Sequence, residues 1–400
     1  MLATRLGITT LALYAMSDDP THDYVPGLAG VPAARSSVCY LDGARGKLQY
    51  RGYPVEQLAQ HCTYEEVVYL LFFGELPRHA ELETFRAELE IARAPKFPVV
   101  DVLKSLPSHG HPMDALRVAV SATGMFHTGD HVRDLDFRRR SVVKLVAQLP
   151  TLVAAWHRVR NGEEPVPPRM DLSHAGNFLY MLAAEEPPAE VARVMDVALT
   201  LHAEHQMNTS TFAARVVGST LAGPFITMSA AIGALSGPLH GGANEEVLTM
   251  LRTIPEGATP EQIRSWAEER LARKQKISGF GHREYKVKDP RATILQGLAV
   301  DLFDQYGKTP LYDVAVVLEQ VMADLVGHKG VYPNVDFYSG IVYEKMGIPT
   351  DLFTPVFAIA RVAGWLAHLL EQLEDNRIFR PNQIWIGQAD RTVVPLAERQ

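Results

Sequence analysis

The sequence predicts an almost wholly α-helical protein with one small β-hairpin near its N-terminus. Alanine- and leucine-rich segments with helical periodicity follow one another through most of the chain. Runs of alternating β-branched residues are too few for a βαβ pattern, and no repeat of fixed period is visible. The chain has 400 residues, 47% hydrophobic and 21% charged, which is enough for two domains and a sizeable core.

The first elements are predicted from turn and capping signals. The hairpin is expected in LDGARGKLQYRGYP, with turns around Gly43, Gly46 and Gly52. Thr63 and Glu66 have the spacing of a capping box, and Gly74 follows the last apolar residue of the helix that they would begin. Further helices are predicted from periodicity at 113–126, 141–158 and 172–184.

The segment PPAEVARVMDVALTLHAEHQMNTST predicts a helix with one apolar face that ends in two histidines. The members of that face are Val191, Met195, Ala198, His202 and His205. The histidine spacing differs from HExxH and the segment offers no third ligand, so a metal site is not predicted. We expect His205 to donate a hydrogen bond to an anion and His202 to be a structural histidine.

Two histidines lie in glycine-rich motifs, His240 in SGPLHGGANEE and His282 in ISGFGHREYK. Glycine lets a ligand approach the backbone and leaves amides free to donate hydrogen bonds. Either motif alone is equally compatible with a histidine beside an ordinary turn. Their combination within one stretch favours a functional site.

The stretch around His282 carries an excess of positive charge in a chain whose formal net charge is −7. Its cations are Arg270, Arg273, Lys274, Lys276, Arg283, Lys286, Lys288 and Arg291. This local excess indicates an anion site rather than a nucleic-acid surface. Asp289 and Pro290 are expected at the N-cap and N1 positions of a helix, which places Arg291 in a first turn that favours carboxylate or phosphate.

Asp336 is predicted to lie in a loop, between aromatic residues of VYPNVDFYSG. Desolvation there would raise the pKa of its carboxyl group and favour a role as a base. The alternative is an ordinary Asx turn after Pro333 and Asn334.

Arg361 lies in a predicted helix with Thr354 as its cap and Pro355 at N1. No acidic residue lies three or four positions away, and a buried arginine requires an anionic partner. Either a distant acid or a ligand carboxylate would satisfy it.

Composition narrows the class of protein. Cys39 and Cys62 are the only cysteines, so a disulfide framework and a cysteine zinc site are excluded, which fits a cytoplasmic location. No apolar run is expected to span a membrane. Residues 1–16 only faintly resemble a signal peptide, and a true start at Met16 is the alternative.

Six motifs occur in the order and roughly the spacing of the citrate synthase family, which the chain resembles along nearly its whole length. They are LDGARGKLQYRGYPVEQLA, HAEHQMNTSTFAAR, SGPLHGGANEE, GFGHREYKVKDPR, YPNVDFYSG and FAIARVAGWLAH. The resemblance implies a helical homodimer whose large domain comprises 1–240 and 342–400 and whose small domain comprises 241–341. It implies condensation of acetyl-CoA with oxaloacetate and hydrolysis to citrate and CoA, with no cofactor, metal, membrane or nucleic acid.

The resemblance also implies the site residues. His240 would hydrogen-bond the acetyl-CoA carbonyl, Asp336 would remove the methyl proton, and His282 would polarise the ketone of oxaloacetate. The residues matched to the oxaloacetate carboxylates are His205, Arg291, Arg361 and, from the second subunit, Arg380. The residues matched to the adenine of CoA are Ser278, Gly279, Phe280 and Gly281. Gln206 departs from the family, which often has an acidic residue there.

Two other functions remain open from the sequence. A 2-methylcitrate synthase, which uses propionyl-CoA, would share all three catalytic positions, and one methylene changes affinity by only about 1–3 kcal/mol. A catalytically silent binding homologue is opposed by the intact His240, His282 and Asp336. We expect acetyl-CoA to be the preferred substrate.

Overall fold

The computed structural model describes residues 24–399. The question of a signal peptide or a start at Met16 concerns residues outside this range. Ser36–Ile378 forms one compact unit, and the described residues of a second unit are 24–35 and 379–399. The helices and the sheet described below belong to the first unit. The described residues of the second unit contain two short 3-10 turns, Pro26–Leu28 and Leu396–Glu398.

The predicted hairpin is confirmed, and a short third strand extends it. The antiparallel strands are β1 (Cys39–Asp42), β2 (Lys47–Tyr50) and β3 (Tyr53–Pro54), in the order β1-β2-β3. Cys39 pairs with Tyr50 and Asp42 with Lys47. The turn is stabilised by Asp42, whose carboxylate accepts the amides of Ala44 and Arg45 at 3.1 and 3.0 Å.

Helices make up nearly all of the remaining regular structure in the described range, which confirms the predicted all-α class. The first eight are α1 (Val55–His61), α2 (Tyr64–Phe73), α3 (His79–Ala92), α4 (Phe97–Ser105), α5 (Pro112–Gly124), α6 (Leu135–Arg160), α7 (His174–Ala183) and α8 (Ala189–His202). The others are α9 (Thr209–Ser219), α10 (Pro224–Leu235), α11 (Ala243–Leu251), α12 (Pro260–Ala272), α13 (Pro290–Tyr306), α14 (Pro310–Val326), α15 (Val335–Lys345) and α16 (Phe353–Glu374).

Local capping signals locate several helix ends correctly. Thr63 and Glu66 form the predicted capping box of α2, and Gly74 ends this helix in the left-handed conformation at φ 90°. Asp289 caps α13 as predicted. Helix α6 begins six residues before the predicted 141, because the Asp134 side chain accepts the amides of the first turn.

Three predictions about helix ends are wrong. Helix α8 ends at His202, so His205 lies beyond the apolar face to which it was assigned. Thr354 does not cap α16, which begins at Phe353 after a 3-10 turn, and its hydroxyl donates instead to Gly241 O at 3.1 Å. Asp336 lies in the first turn of α15 rather than in a loop, because Asn334 caps that helix.

Helix α16 is the central helix of the core. The stretch Thr350–Glu374 is long and apolar enough to cross a membrane by length and composition, contrary to the expectation from the sequence, and its most apolar window is fully buried inside the structure. Trp365 and Leu366 on this helix are completely covered. The apolar surface of α16 is therefore used for packing within the protein, and its polar residues Arg361 and His368 are buried with it.

Candidate active site

His240 lies in the turn between α10 and α11, with one ring nitrogen held by Ser210. The Ser210 amide donates to Nε2 at 3.2 Å, and the Ser210 hydroxyl lies 2.8 Å from the same atom. Burial, together with the charge of Arg361, lowers the pKa of His240 to about 4, so the ring is neutral near pH 7. Because Nε2 accepts, the proton of the neutral ring is on Nδ1, which is available as a donor.

His282 has the opposite tautomer, which is again fixed by backbone amides that donate to one ring nitrogen. Its Nδ1 accepts the amides of Glu284 and Tyr285 at 3.0 and 3.3 Å, so the proton of the neutral ring is on Nε2. Burial, with Arg291 acting in the same direction, lowers the pKa of His282 to about 4. The loop that carries His282 contacts the hairpin, where Lys286 N donates to Gly43 O at 2.9 Å.

Asp336 is positioned by the cap of α15 while its carboxylate is left without a partner. Its amide donates to Asn334 Oδ1 at 3.0 Å. No described residue donates a hydrogen bond to its side chain, and burial raises the pKa of Asp336 to about 6, with Arg291 acting against the rise. A desolvated carboxylate without donors is suited to accept a proton.

Arg291 forms a buried pair with Asp289, the residue that caps its own helix. Its Nε and Nη2 donate to the two carboxylate oxygens at 3.0 and 2.8 Å. Asp289 also accepts the amide of Val335 at 3.2 Å, which ties the start of α13 to the start of α15 beside Asp336. The sequence did not indicate this internal carboxylate partner of Arg291.

His205 and His282 come together although they lie far apart in sequence. Their ring centroids are 5.0 Å apart with the planes at 75°, and His205 Nε2 lies 3.3 Å from the Tyr285 hydroxyl. Burial lowers the pKa of His205 well below its usual range, and Arg291 adds to this effect. Both rings are therefore neutral and lie near a buried cation, as a site for an anionic ligand requires.

Arg361 is only 2% exposed, and its Nε donates to His202 O at 2.7 Å. Its guanidinium lies 4.7 Å from the centre of the Phe357 ring. Within the described residues no carboxylate comes within ion-pairing distance of it. Burial lowers the pKa of Arg361, and the opposing charge with the largest effect is Glu204. Glu204 thus influences Arg361 electrostatically without forming an ion pair with it, and the ligand carboxylate stays a prediction.

His202 has a structural environment. It is completely buried, and its Nδ1 lies 2.7 Å from Ala198 O in the preceding turn of α8. The described residues contain no group of three or more histidine, cysteine or acidic side chains placed to hold a metal ion.

The segment Ser278–Gly281 runs beside the start of α15. Gly281 N donates to Tyr332 O at 2.8 Å and Asn334 N donates to Gly279 O at 2.9 Å. Ser278 also lines a cavity of about 540 Å³, whose wall includes Pro238, Gly242 and Thr354. This cavity lies along the turn that carries His240. Arg380 belongs to the other unit, where it is exposed, and its role across a dimer stays a prediction.

Three site residues were not identified from the sequence: Ser210, Tyr285 and Glu204. Ser210 lies within the motif HAEHQMNTSTFAAR, but its contact with His240 joins residues 30 positions apart. Tyr285 is in the motif of His282, where only the histidine and the cations were selected. Glu204 directly precedes His205 in a polar segment, and nothing in the sequence of that segment indicates that Glu204 is completely buried.

The fold and motifs match known proteins over almost the whole chain. A family model described as citrate synthase, C-terminal domain, matches residues 27–382. The chain is 53% identical to a citrate synthase of Synechocystis sp., covering 96% of each chain. It is 46% identical to a citrate synthase of Acidithiobacillus ferridurans, covering 94% of this chain and 99% of the other.

Solved structures agree with these matches. A crystal structure of citrate synthase from Pyrobaculum aerophilum is 39% identical with a TM-score of 0.88, and the match covers 99% of this chain and 100% of that one. A second similar structure is the ternary complex of citrate synthase from Thermoplasma acidophilum with carboxymethyl coenzyme A and oxaloacetate. It is 32% identical with a TM-score of 0.88, and the match covers 94% of this chain and 99% of that one. The helical fold and its relatives define an acyltransferase. The chain belongs to the citrate synthase family.

Proposed function

We propose that this chain condenses acetyl-CoA with oxaloacetate and hydrolyses the resulting thioester to citrate and CoA. One observation carries the proposal. His240 and His282 are both neutral, and each has one ring nitrogen occupied as an acceptor, so that each presents a single N–H donor. Asp336 supplies a carboxylate with a raised pKa and no donor among the described residues. Two donors and a base are what an enolate condensation needs.

The first step is removal of a proton from the methyl group of acetyl-CoA. Asp336 takes the proton, and the electron pair of the C–H bond moves towards the thioester oxygen. The Nδ1–H of His240 donates to that oxygen and stabilises the enolate. A thioester α-carbon is a very weak acid, so a carboxylate can act on it only if the developing oxyanion is stabilised at the same moment.

The second step forms the carbon–carbon bond. The enolate carbon attacks the ketone carbon of oxaloacetate, and the electron pair of the C=O bond moves to the ketone oxygen. The Nε2–H of His282 polarises that oxygen and protonates it as the alkoxide forms. The proton that Asp336 took then restores the neutral ring, so that both groups return to their starting states. Water then cleaves the thioester, which gives the new carboxylate of citrate and the thiol of CoA. These roles take no metal or cofactor, and CoA enters only as part of the substrate.

Oxaloacetate is a dianion, and we assign its carboxylates to His205, Arg291 and Arg361, with Arg380 reaching in from the second subunit of a homodimer. The planar fork of arginine suits carboxylates. Arg361, which has no ion pair among the described residues, is the cation best prepared for a ligand carboxylate. Ser278–Gly281 would hold the adenine of CoA beside the cavity next to His240.

We also infer a closing cleft between a large domain, 1–240 with 342–400, and a small domain, 241–341. His240, His282 and Asp336 lie in or beside the small domain, whereas His205 and Arg361 lie in the large one. Oxaloacetate bound from both sides would draw the domains together and exclude water from the enolate. We also propose a cytoplasmic location, which accords with the free Cys39 and Cys62.

The activity is expected to rise with pH and to level off above the pKa of Asp336. The base must be ionised, and its pKa of about 6 puts the midpoint of the rise near that pH, with activity lost below it. His240 and His282 each have a pKa of about 4 and stay neutral over this range, so they should not add a second transition to the pH profile. Measuring kcat/KM for acetyl-CoA from roughly pH 5 to 8 tests this. A flat profile, or a midpoint typical of an exposed aspartate, would contradict the assignment.

Acetyl-CoA is expected to give a higher kcat/KM than propionyl-CoA when oxaloacetate is saturating. A pocket fitted to a methyl group penalises one extra methylene by about 1–3 kcal/mol, which corresponds to a preference of roughly 10–200-fold. Side-by-side initial rates of CoA release give the ratio. A higher value for propionyl-CoA would favour a 2-methylcitrate synthase and reject the proposed substrate.

A further inference from the structure

One face of α16 is bonded to the short segment that links α8 to His205. Three consecutive residues of this segment contact positions 361, 364 and 368 of the helix, which are one turn apart. The contacts are Arg361 Nε to His202 O at 2.7 Å, Gly364 N to Ala203 O at 3.1 Å, and His368 Nε2 to Glu204 Oε1 at 2.9 Å. The next residue along the chain is His205. The segment therefore connects His205 and Arg361, the two residues of the large domain that are proposed to bind oxaloacetate.

Glu204 is the charged member of this segment, and it is completely buried. His368 Nδ1 accepts a hydrogen bond from Arg215 Nε at 3.2 Å, so the proton of the neutral ring is on Nε2 and is donated to Glu204. The second oxygen of Glu204 has no hydrogen-bond partner among the described residues.

The fit of Glu204 against α16 depends on a glycine. A Cβ at position 364 would lie 2.1 Å from Glu204 Oε2 and 2.5 Å from Ala203 O. Alanine at this position would have to displace the segment, since a contact this short with backbone is not tolerated. Gly364 therefore allows the close approach of Ala203 and Glu204 to α16.

We infer that Glu204 is a positioning residue for oxaloacetate: held by His368 and seated against Gly364, it fixes Arg361 and His205 relative to each other. The inference rests on the proposed function, in which those two residues bind the substrate. Glu204 does not touch the reacting atoms. Its loss is expected to misplace one group of ligands for oxaloacetate and to leave the acetyl-CoA site unaltered.

The test compares Glu204→Ala with Glu204→Gln. Alanine removes the acceptor for His368, and we expect the KM for oxaloacetate and its Kd by calorimetry to rise about tenfold, because small misplacements of binding groups are costly. The KM for acetyl-CoA is expected to stay within about twofold. Glutamine keeps an oxygen for His368 and the same length, so it should restore both oxaloacetate constants to near wild-type values. An unchanged oxaloacetate Kd in Glu204→Ala, or an equal rise in both KM values, would overturn the inference.

Gly364→Ala provides a second variant, which is favourable for the helix and displaces Glu204 without removing it. The same selective rise for oxaloacetate is expected, and its absence would count against the inference even if Glu204→Ala failed to fold. Gln148→Leu is the matched control, because Gln148 is a buried polar residue of α6 that donates to Ala92 O and Ala94 O. It should lower the melting temperature without changing the ratio of the two KM values.

The two hypotheses fail in different ways. A wild-type protein that binds oxaloacetate but does not turn over acetyl-CoA would reject the proposed function and leave the calorimetric comparison decisive for Glu204. An active wild type whose Glu204→Ala variant keeps its oxaloacetate Kd would reject the inference alone.

Discussion

Replacing Asp336 with asparagine is expected to lower kcat by about three orders of magnitude, within the range for loss of a general base. The amide has nearly the shape of the carboxyl group but cannot take the methyl proton. The backbone amide that donates to Asn334 Oδ1 is unaffected, so the first turn of α15 should stay intact. Oxaloacetate affinity should change little, because the lost interaction is needed only in the chemical step. Steady-state kinetics with calorimetric titration of oxaloacetate separates the two effects.

Asp301→Asn is the matched control, since Asp301 is an exposed carboxylate on α13. It should have wild-type kinetics. Near wild-type turnover in Asp336→Asn would remove this residue from the role of base, whatever the effect of other substitutions.

Replacing His240 with alanine is expected to lower kcat by about 10²–10³-fold, the usual effect of removing one donor to a developing oxyanion. The affinity for acetyl-CoA should also weaken, since the same donor contacts the thioester in the ground state. Rates at saturating oxaloacetate over a range of acetyl-CoA concentrations give both constants.

Ser210→Ala is a graded companion to this variant. It removes the hydroxyl at 2.8 Å from His240 Nε2 but keeps the backbone amide that donates to the same atom at 3.2 Å. The tautomer should persist and the loss of kcat should be smaller than in His240→Ala. Equal losses would show that the hydroxyl, rather than the amide, holds the ring.

The parts of the fold that were predictable from sequence depend on neighbouring residues. The capping box of α2, the cap of α13 and the turns of the hairpin are formed within a few positions, where residue type decides the hydrogen bond. The predicted end of α8 and the predicted start of α16 are wrong because tertiary packing determines where these two helices end and begin. Threonine is a residue type that often caps helices, yet the Thr354 hydroxyl donates a hydrogen bond to Gly241 O, 113 positions away.

The sequence predicts which residues belong to the candidate site, but not the contacts and hydrogen bonds between them. Motif resemblance selected His240, His282 and Asp336, but the tautomer of His240 depends on Ser210, which is 30 positions away. The hydrogen bond from Arg361 to His202 O joins residues 159 positions apart. Such contacts follow from helix packing around α16, which periodicity does not specify. The burial of Glu204 also depends on this packing, so it could not be predicted from the sequence.

The most direct measurement of the central claim is the fate of labelled acetyl-CoA. Wild-type protein is incubated with oxaloacetate and acetyl-CoA carrying ¹³C in its methyl carbon, and the products are followed by NMR alongside a thiol assay. We expect citrate labelled in a methylene carbon and an equal amount of free CoA, with both lost in Asp336→Asn. Release of CoA together with labelled acetate, or no reaction in the wild type, would contradict it.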